Sequence, residues 1–293
     1  MNFRILPALR VHCWGGLGSQ LFAWALFEDL KVKYPQRKMR LIFHESGVTK
    51  RIEEISEFFP KEYSICRDYI PAKNVTEVRK YNLRHSLANS IKTTFVSLLY
   101  SLRLFSNCDA DTSLVTVKYW TMQIRGHYSY RGVTSATITA MNSRANLLKQ
   151  SLICQSYTSR KEIAVQYRLG DLLKLDSKGP IESSRITEVI EFIKRTQKIS
   201  RVVVFSDSPE EALNRFGALS SEYIGPDMNA WDTLLELQQF DFLVSTNSKL
   251  SIWATLIRTQ FFPELKNFAP REFEGQFSRN LVLNNQPQSI TYY

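Results

Sequence analysis

The segment Val11-His12-Cys13-Trp14-Gly15-Gly16-Leu17-Gly18-Ser19-Gln20-Leu21-Phe22 places three glycines where an apolar strand turns into what reads as an amphipathic helix. Glycine has no Cβ to block positive φ or close approach, and the N-terminus of the helix that follows favours a negatively charged or strongly polar guest. A tight strand–helix turn that binds nothing would have the same letters.

Two familiar glycine loops are tested by the same stretch. A Walker-type phosphate loop ends in Gly-Lys-Ser/Thr, whereas Gly18 is followed by Ser19-Gln20, which excludes it. A dinucleotide fingerprint G-x-G-x-x-G begun at Gly16-Leu17-Gly18 puts Leu21 at its third glycine position, where close helix–strand packing wants no side chain. That rival is weakened and stays open.

Working outward, 293 residues with 44% hydrophobic content are enough for two domains with real cores. The boundary is expected in the polar stretch 155–162, giving domains 1–158 and 159–293. A formal charge of +10 predicts an anionic partner, which nucleic acid, a phosphate-bearing substrate or an anionic membrane would each satisfy. Cys13, Cys66, Cys108 and Cys154 are scattered without zinc spacing and read as reduced thiols. Residues 1–7 lack a long apolar core, so no secretory signal is expected, and no apolar run reaches the roughly 20 residues that span a bilayer. The expected location is the cytoplasm. Residues 73–103 combine six Lys or Arg with a single acid, Glu77, and an apolar end, which suits either a helix lying peripherally on the inner membrane face or an ordinary core helix with a basic flank.

Strands are expected at 6–13, 39–43, 113–120, 163–167, 201–205 and 242–244, with helices at 20–34, 184–197, from Pro209 onward, and through Ile257. Ser208 reads as an N-cap with Pro209 at the first helical position and Glu210-Glu211 in the first turn. Strands alternating with helices in two blocks predict an α/β protein of two doubly wound, Rossmann-like domains facing a cleft.

In open parallel sheets, ligands bind beyond the carboxyl ends of the strands. Four polar clusters fall there: the glycine loop, Arg168-Leu169-Gly170-Asp171, Ser206-Asp207, and Ser245-Thr246-Asn247-Ser248. Arg168 is the leading candidate, because a guanidinium stays charged and grips phosphate oxygens in a bidentate fork. Asp171 reads as a support that accepts N–H groups of the turn or holds Arg168. Asp207 reads either as an acceptor for ribose or base donors or, beside Ser208-Pro209, as part of a helix start.

These residues resemble the signatures of the bacterial α-1,2-fucosyltransferases. Gly15-Gly16-Leu17-Gly18-Ser19-Gln20-Leu21-Phe22 is similar to their GGLGNQ(M/L)F, and Gln166-Tyr167-Arg168-Leu169-Gly170-Asp171 to their H-x-R-R-G-D. Phe205-Ser206-Asp207 is similar to F-S-D, Ser245-Thr246-Asn247-Ser248 with Trp253-Ala254 to the serine-rich motif, and Tyr119-Trp120 to an intervening aromatic segment, all in order along most of the chain. The resemblance implies a two-domain GT-B glycosyltransferase that inverts the anomeric centre, uses GDP-fucose and needs no metal or other cofactor. It implies an oligosaccharide acceptor, lipid-linked in surface polysaccharide or O-antigen synthesis. By position, Arg168 matches the diphosphate-binding and catalytic arginine and Asp241 an acid that contacts the base. Thr246, Asn247 and Ser248 match a phosphate-contacting turn. Gly15, Gly16, Gly18, Ser19 and Gln20 match a segment near the sugar and acceptor.

Ser19 stands where the family has Asn, Gln166 where it has a nucleotide-binding His, Leu169 where it has a second Arg, and Lys249 lies within the serine turn. A related transferase with another nucleotide-sugar donor therefore remains an alternative. No residue is singled out as the general base; His12, His44, Glu45 and His127 read first as structural. Asp109-Ala110-Asp111 has the letters of a metal-binding D-x-D, which should follow an apolar strand. It precedes the strand expected at 113–120 and reads as a polar turn. The basic segment lacks the aromatic interleaving of single-strand nucleic-acid binders, which places nucleic acid last.

Overall fold

The computed structural model describes residues 8–44, 53–55, 65, 66, 98, 105–108, 117, 121, 123–126, 128, 133, 134, 137, 140, 160–174, 179–219, 221–225, 227–273 and 290–293. The chain divides into two compact units, Met1–Gly132 and Val133–Tyr293. The boundary expected at 158/159 lies outside the described residues.

The first unit contains β1 (Leu9–Trp14), α1 (Leu17–Lys33), β2 (Met39–His44), β3 (Ile65–Cys66), β4 (Phe105–Cys108) and β5 (Gln123–Gly126). They form a sheet in the order β3-β2-β1-β5-β4, with every neighbouring pair parallel. The helix after the glycine turn departs from expectation. It starts at Leu17, directly after an N-cap at Gly16, and it is not amphipathic: Leu21 through Phe27 are buried without interruption, and exposure begins only at Lys31. A helix apolar all round is one enclosed on most sides.

The second unit contains β6 (Arg160–Gln166), α2 (Ser183–Thr196), β7 (Arg201–Phe205), α3 (Pro209–Phe216), β8 (Glu222–Ile224), α4 (Ala230–Glu236), β9 (Phe240–Val244), α5 (Lys249–Phe261), β10 (Lys266–Ala269) and β11 (Ile290–Tyr292). Its all-parallel sheet runs β11-β10-β9-β6-β7-β8. Counting from β6 as the first strand, this is the order 3-2-1-4-5-6 of a dinucleotide-type Rossmann sheet. The α/β class with two parallel sheets is thus as the sequence predicts.

Side-chain alternation explains the layering. Ile163 and Val165 on β6, with Tyr167 just beyond its end, join Val202 and Val204 on β7 in one core. Ile186, Val189, Ile190 and Ile193 of α2 pack into it at the 3, 4, 7 spacing of a helical stripe. Full burial of each such side chain contributes roughly 1.5–3 kcal/mol. The alternate residue Gln166 faces α5, where it meets Ser251. Helices therefore cover both faces of the sheet, and the central strands read as continuous apolar runs because neither face meets water.

Two local expectations are corrected. Ser208 does stand at the N-cap of α3 with Pro209 following, but its side chain makes no capping bond; its N–H instead donates to Ser206 Oγ at 3.1 Å. Of the strand expected at 113–120, only Val117 is described, and it lies outside any strand. The strands flanking that region are β4 and β5.

Candidate functional site

β6 and β9 are neighbours in the sheet, with Val165 paired to Val244. From β6 the sheet continues in chain order through β7 to β8, and from β9 in the opposite direction through β10 to β11. The connections leaving β6 and β9 diverge at this topological switch point, where Rossmann-type sheets place their ligands. Arg168-Leu169-Gly170 follows β6 and Ser245-Thr246-Asn247-Ser248 follows β9, so two of the four clusters named from sequence meet here.

Their meeting is mediated by Thr246. Its fully buried hydroxyl donates to the Gln166 carbonyl at 2.8 Å, and Oγ1 lies 3.4 Å from the Arg168 N–H that donates to it. From the β7 side, Asp207 Oδ1 accepts the N–H of Leu169 at 2.8 Å and of Gly170 at 3.0 Å. Three consecutive backbone N–H groups, those of residues 168, 169 and 170, are held by side chains from the strands on either side of β6.

The turn after β9 is equally constrained. Ser248 caps α5 by accepting the Leu250 N–H at 3.2 Å, and its own N–H donates to the Thr246 carbonyl at 2.9 Å. Asn247 Nδ2 donates to the Gly179 carbonyl at 3.2 Å. Ser245 Oγ pairs with Thr255 Oγ1 at 3.3 Å, while its carbonyl accepts the Tyr293 hydroxyl at 2.7 Å. Burial raises the Tyr293 hydroxyl pKa well above the ordinary tyrosine value, against the opposing pull of Arg185. Tyr167, buried beneath the loop, donates its hydroxyl to the Ile181 carbonyl at 2.9 Å, and its pKa is likewise raised by burial.

Several roles expected from sequence change on this geometry. The Thr246 hydroxyl is occupied inside the protein in both directions, so it supports the loop. Gln166 is buried, with Oε1 accepting from Ser251 Oγ at 2.5 Å. The turn N–H groups expected to go to Asp171 are taken by Asp207. Asp241 is the second residue of β9, roughly 10 Å along the strand from its carboxyl end at Val244. It lies toward the opposite end of the strand from the switch-point loops.

The glycine turn of the first unit is built as predicted around backbone freedom. Gly15 has φ +94°, a left-handed value that L side chains rarely adopt. Gln20, 1% exposed, staples the turn: Nε2 donates to the Gly15 carbonyl at 3.0 Å, and Oε1 accepts the N–H groups of Glu54 and Ile55 at 3.0 and 3.1 Å. This makes Gln20 structural. Gly18 is buried within α1, and Ser19 is half-buried in its first turn. His12 is fully buried on β1, removed from solvent. Glu45, His127, Tyr119, Trp120 and residues 73–97 and 99–103 lie outside the described residues, as do the side chains of His44 and Asp171.

Sequence reasoning passed over Arg258. It is fully buried on α5 and donates to Asn267 Oδ1 at 2.6 Å and to the carbonyls of Leu237, Phe240, Asp241 and Lys266 at 2.7 to 3.2 Å. It ties the amino ends of β9 and β10 together. The only signal was a lone cation in the apolar helical run Ile252-Trp253-Ala254-Thr255-Leu256-Ile257.

Among the described residues, no three His, Cys, Asp or Glu side chains come close enough to hold a metal ion, and no helix is long and apolar enough to cross a membrane. The surroundings of the D-x-D differ from expectation: β4 ends at Cys108, so a strand precedes Asp109 in the chain, but its Ser106 and Asn107 are polar where a D-x-D expects an apolar strand. Asp109 and Asp111 themselves lie outside the described residues.

Comparison with protein-family models and with curated proteins gives no match. Solved structures do resemble the chain. An E. coli heptosyltransferase, WaaC with ADP, has a TM-score of 0.48 at 12% identity, covering 97% of this chain and 92% of that one. NodZ α-1,6-fucosyltransferase soaked with GDP-fucose has a TM-score of 0.43 at 13% identity, covering 85% and 92%. A UDP-N-acetylglucosamine 2-epimerase has a TM-score of 0.39 at 12% identity, covering 89% and 78%. These three proteins differ in chemistry and all score below 0.5, so the function of this chain is argued from its own residues.

Proposed function

We propose that the chain is an inverting glycosyltransferase of the GT-B type whose nucleoside diphosphate-sugar donor binds at the carboxyl ends of β6 and β9. The observation that carries this reading is the seating of Arg168 at the switch point, with its backbone fixed from both neighbouring strands. In glycosyl transfer the bond between the anomeric carbon and the diphosphate oxygen lengthens while negative charge builds on the departing diphosphate. A preorganised guanidinium and backbone dipoles stabilise that charge more than they stabilise the bound donor, which is how they lower the barrier. The acceptor hydroxyl attacks the opposite face of the anomeric carbon, its proton passing to a general base. The nucleoside diphosphate leaves.

The donor is read as GDP-fucose and the acceptor as an oligosaccharide of bacterial surface polysaccharide, on the strength of the ordered motif resemblances. The departures at Ser19, Gln166, Leu169 and Lys249 make a different nucleotide-sugar the alternative. A dinucleotide-dependent oxidoreductase fits less well. The second sheet has the matching strand order, but its first loop, Tyr167-Arg168-Leu169-Gly170, offers one glycine where the fingerprint needs three. In the first unit the third glycine position is Leu21, buried in α1.

The deciding experiment is a melting-temperature screen with GDP, UDP, ADP and NAD, each with and without EDTA. A ligand at a hundred times its dissociation constant stabilises the fold by about 2.7 kcal/mol. A shift with GDP that survives EDTA, followed by transfer of fucose from GDP-fucose to an oligosaccharide, is the expected result. A shift with UDP or ADP alone selects another donor. Loss of the shift in EDTA points to a metal-dependent donor site, and a shift with NAD alone overturns the transferase reading.

A further inference from the structure

We infer that Asp207 is a positioning residue for Arg168, acting through the backbone of the loop rather than by touching the nucleotide; this rests on the transferase reading above. One carboxylate oxygen receives both the Leu169 and the Gly170 N–H, at 2.8 and 3.0 Å. Hydrogen bonds to an ionised acceptor are the stronger kind. Residue 170 is a glycine because the carboxylate occupies the place of its side chain: a Cβ there would collide with Asp207 Oδ2 and stand 2.9 Å from Cγ. Asp207 and Gly170, 37 residues apart, are therefore one device. Thr246 holds the Arg168 N–H from the β9 side, and Asp207 holds the next two N–H groups from the β7 side. The Cα of Arg168 is fixed between them, so the side chain starts from a set backbone position and only its own rotamers are left to be ordered when it meets a diphosphate.

A residue that works this way has a signature that direct ligand contact does not share. In Asp207→Asn the amide oxygen accepts the same two N–H groups, so GDP affinity and turnover with GDP-fucose stay within about threefold of the parent. In Asp207→Ala the loop is released and kcat/KM falls on the order of tenfold to a hundredfold. Gly170→Ala forces the carboxylate aside and gives the same loss. The double variant Gly170→Ala with Asp207→Ala is no worse than either single within about twofold, the margin within which independent effects add. Additive losses, or Asp207→Asn as impaired as Asp207→Ala, overturn the inference in favour of direct contact.

Amide hydrogen exchange separates this failure from failure of the functional reading. Slow exchange at Leu169 and Gly170 in the parent and in Asp207→Asn, and fast exchange in Asp207→Ala and Gly170→Ala, supports the clamp in the absence of any ligand. Unchanged exchange in Asp207→Ala overturns it. Absence of nucleoside diphosphate binding by the parent protein overturns the transferase reading, and with it the role assigned to the clamp.

Discussion

The Thr246 hydroxyl donates to the Gln166 carbonyl across 2.8 Å, joining the ends of the two strands at which the strand order reverses. The residues are 80 positions apart, and the bond closes the base of the loop that carries Arg168. Thr246→Val keeps the branched shape and removes the hydroxyl, leaving a buried carbonyl unsatisfied at a cost of about 1–3 kcal/mol. Urea unfolding should show a lowered midpoint with an unchanged slope, and Thr246→Ser should recover most of the loss. If Thr246→Val has parental stability and loses only nucleotide binding, the hydroxyl serves the ligand and not the fold.

The second sheet was the more legible in sequence, for a physical reason. Its central strands are buried on both faces and read as short apolar runs, as in Arg201-Val202-Val203-Val204-Phe205, whose expected bounds match the structure. Helix α2 shows its stripe directly. By contrast β4, Phe105-Ser106-Asn107-Cys108, is a polar edge strand held by pairing to β5, and nothing in its composition announces it. The meeting place of the candidate loops was legible because the carboxyl ends of parallel strands lie along one edge of the sheet. The division of labour within it was not. Whether Asp207, Thr246 and Gln166 face a ligand or the protein depends on partners many residues away, which local patterning does not encode. Arg258 escaped notice for the same reason, since its partners are mostly backbone carbonyls.

The adjacent glycines of the first unit should respond unequally to one added methyl. Gly15→Ala forces a side chain onto φ +94°, at about 1–2 kcal/mol. Gly16 has φ −73° and nothing lies within 4 Å of where its methyl would stand, but it is the N-cap of α1, where glycine outranks alanine, so the capping loss offsets the entropy gain of about 0.4–1 kcal/mol and Gly16→Ala should leave stability nearly unchanged. Thermal unfolding distinguishes the two. Activity adds a second reading: loss of transfer in a fully stable Gly16→Ala protein shows that ligand approaches this turn closely. Full transfer in that protein leaves the turn as a structural corner.

Alkaline pH should loosen the turn after β9. Burial raises the Tyr293 hydroxyl above its ordinary value of 10.0, and Tyr167 shifts in the same direction for the same cause. Between the unfolded and folded values the native protein binds a proton that the unfolded chain has lost, so stability is intact below about pH 10 and falls as pH rises beyond it. Tyr293→Phe removes one of these groups together with its bond to the Ser245 carbonyl. It should cost about 1 kcal/mol near neutrality and flatten the alkaline decline. Urea midpoints from pH 7 to 11 test this; parallel pH curves for parent and variant would remove Tyr293 from the account.

Arg168 carries the heaviest functional demand. It is partly exposed, and its backbone N–H is one of the three that fix the loop. Arg168→Ala keeps those backbone bonds, so the protein should still fold, and its melting temperature is the control for the activity measurement. Transfer should fall by about 10²–10³, the usual consequence of removing one preorganised donor from a site of developing charge. Arg168→Lys keeps the charge and loses the planar fork, so it should recover only part of the rate. The split between constants tells where the guanidinium acts. A fall shared equally by kcat and kcat/KM places its contact in the transition state, whereas a raised KM at constant kcat places it equally on the bound donor. Parental turnover in Arg168→Ala would remove the diphosphate from this position, leaving the loop between Thr246 and Asp207 without its proposed ligand.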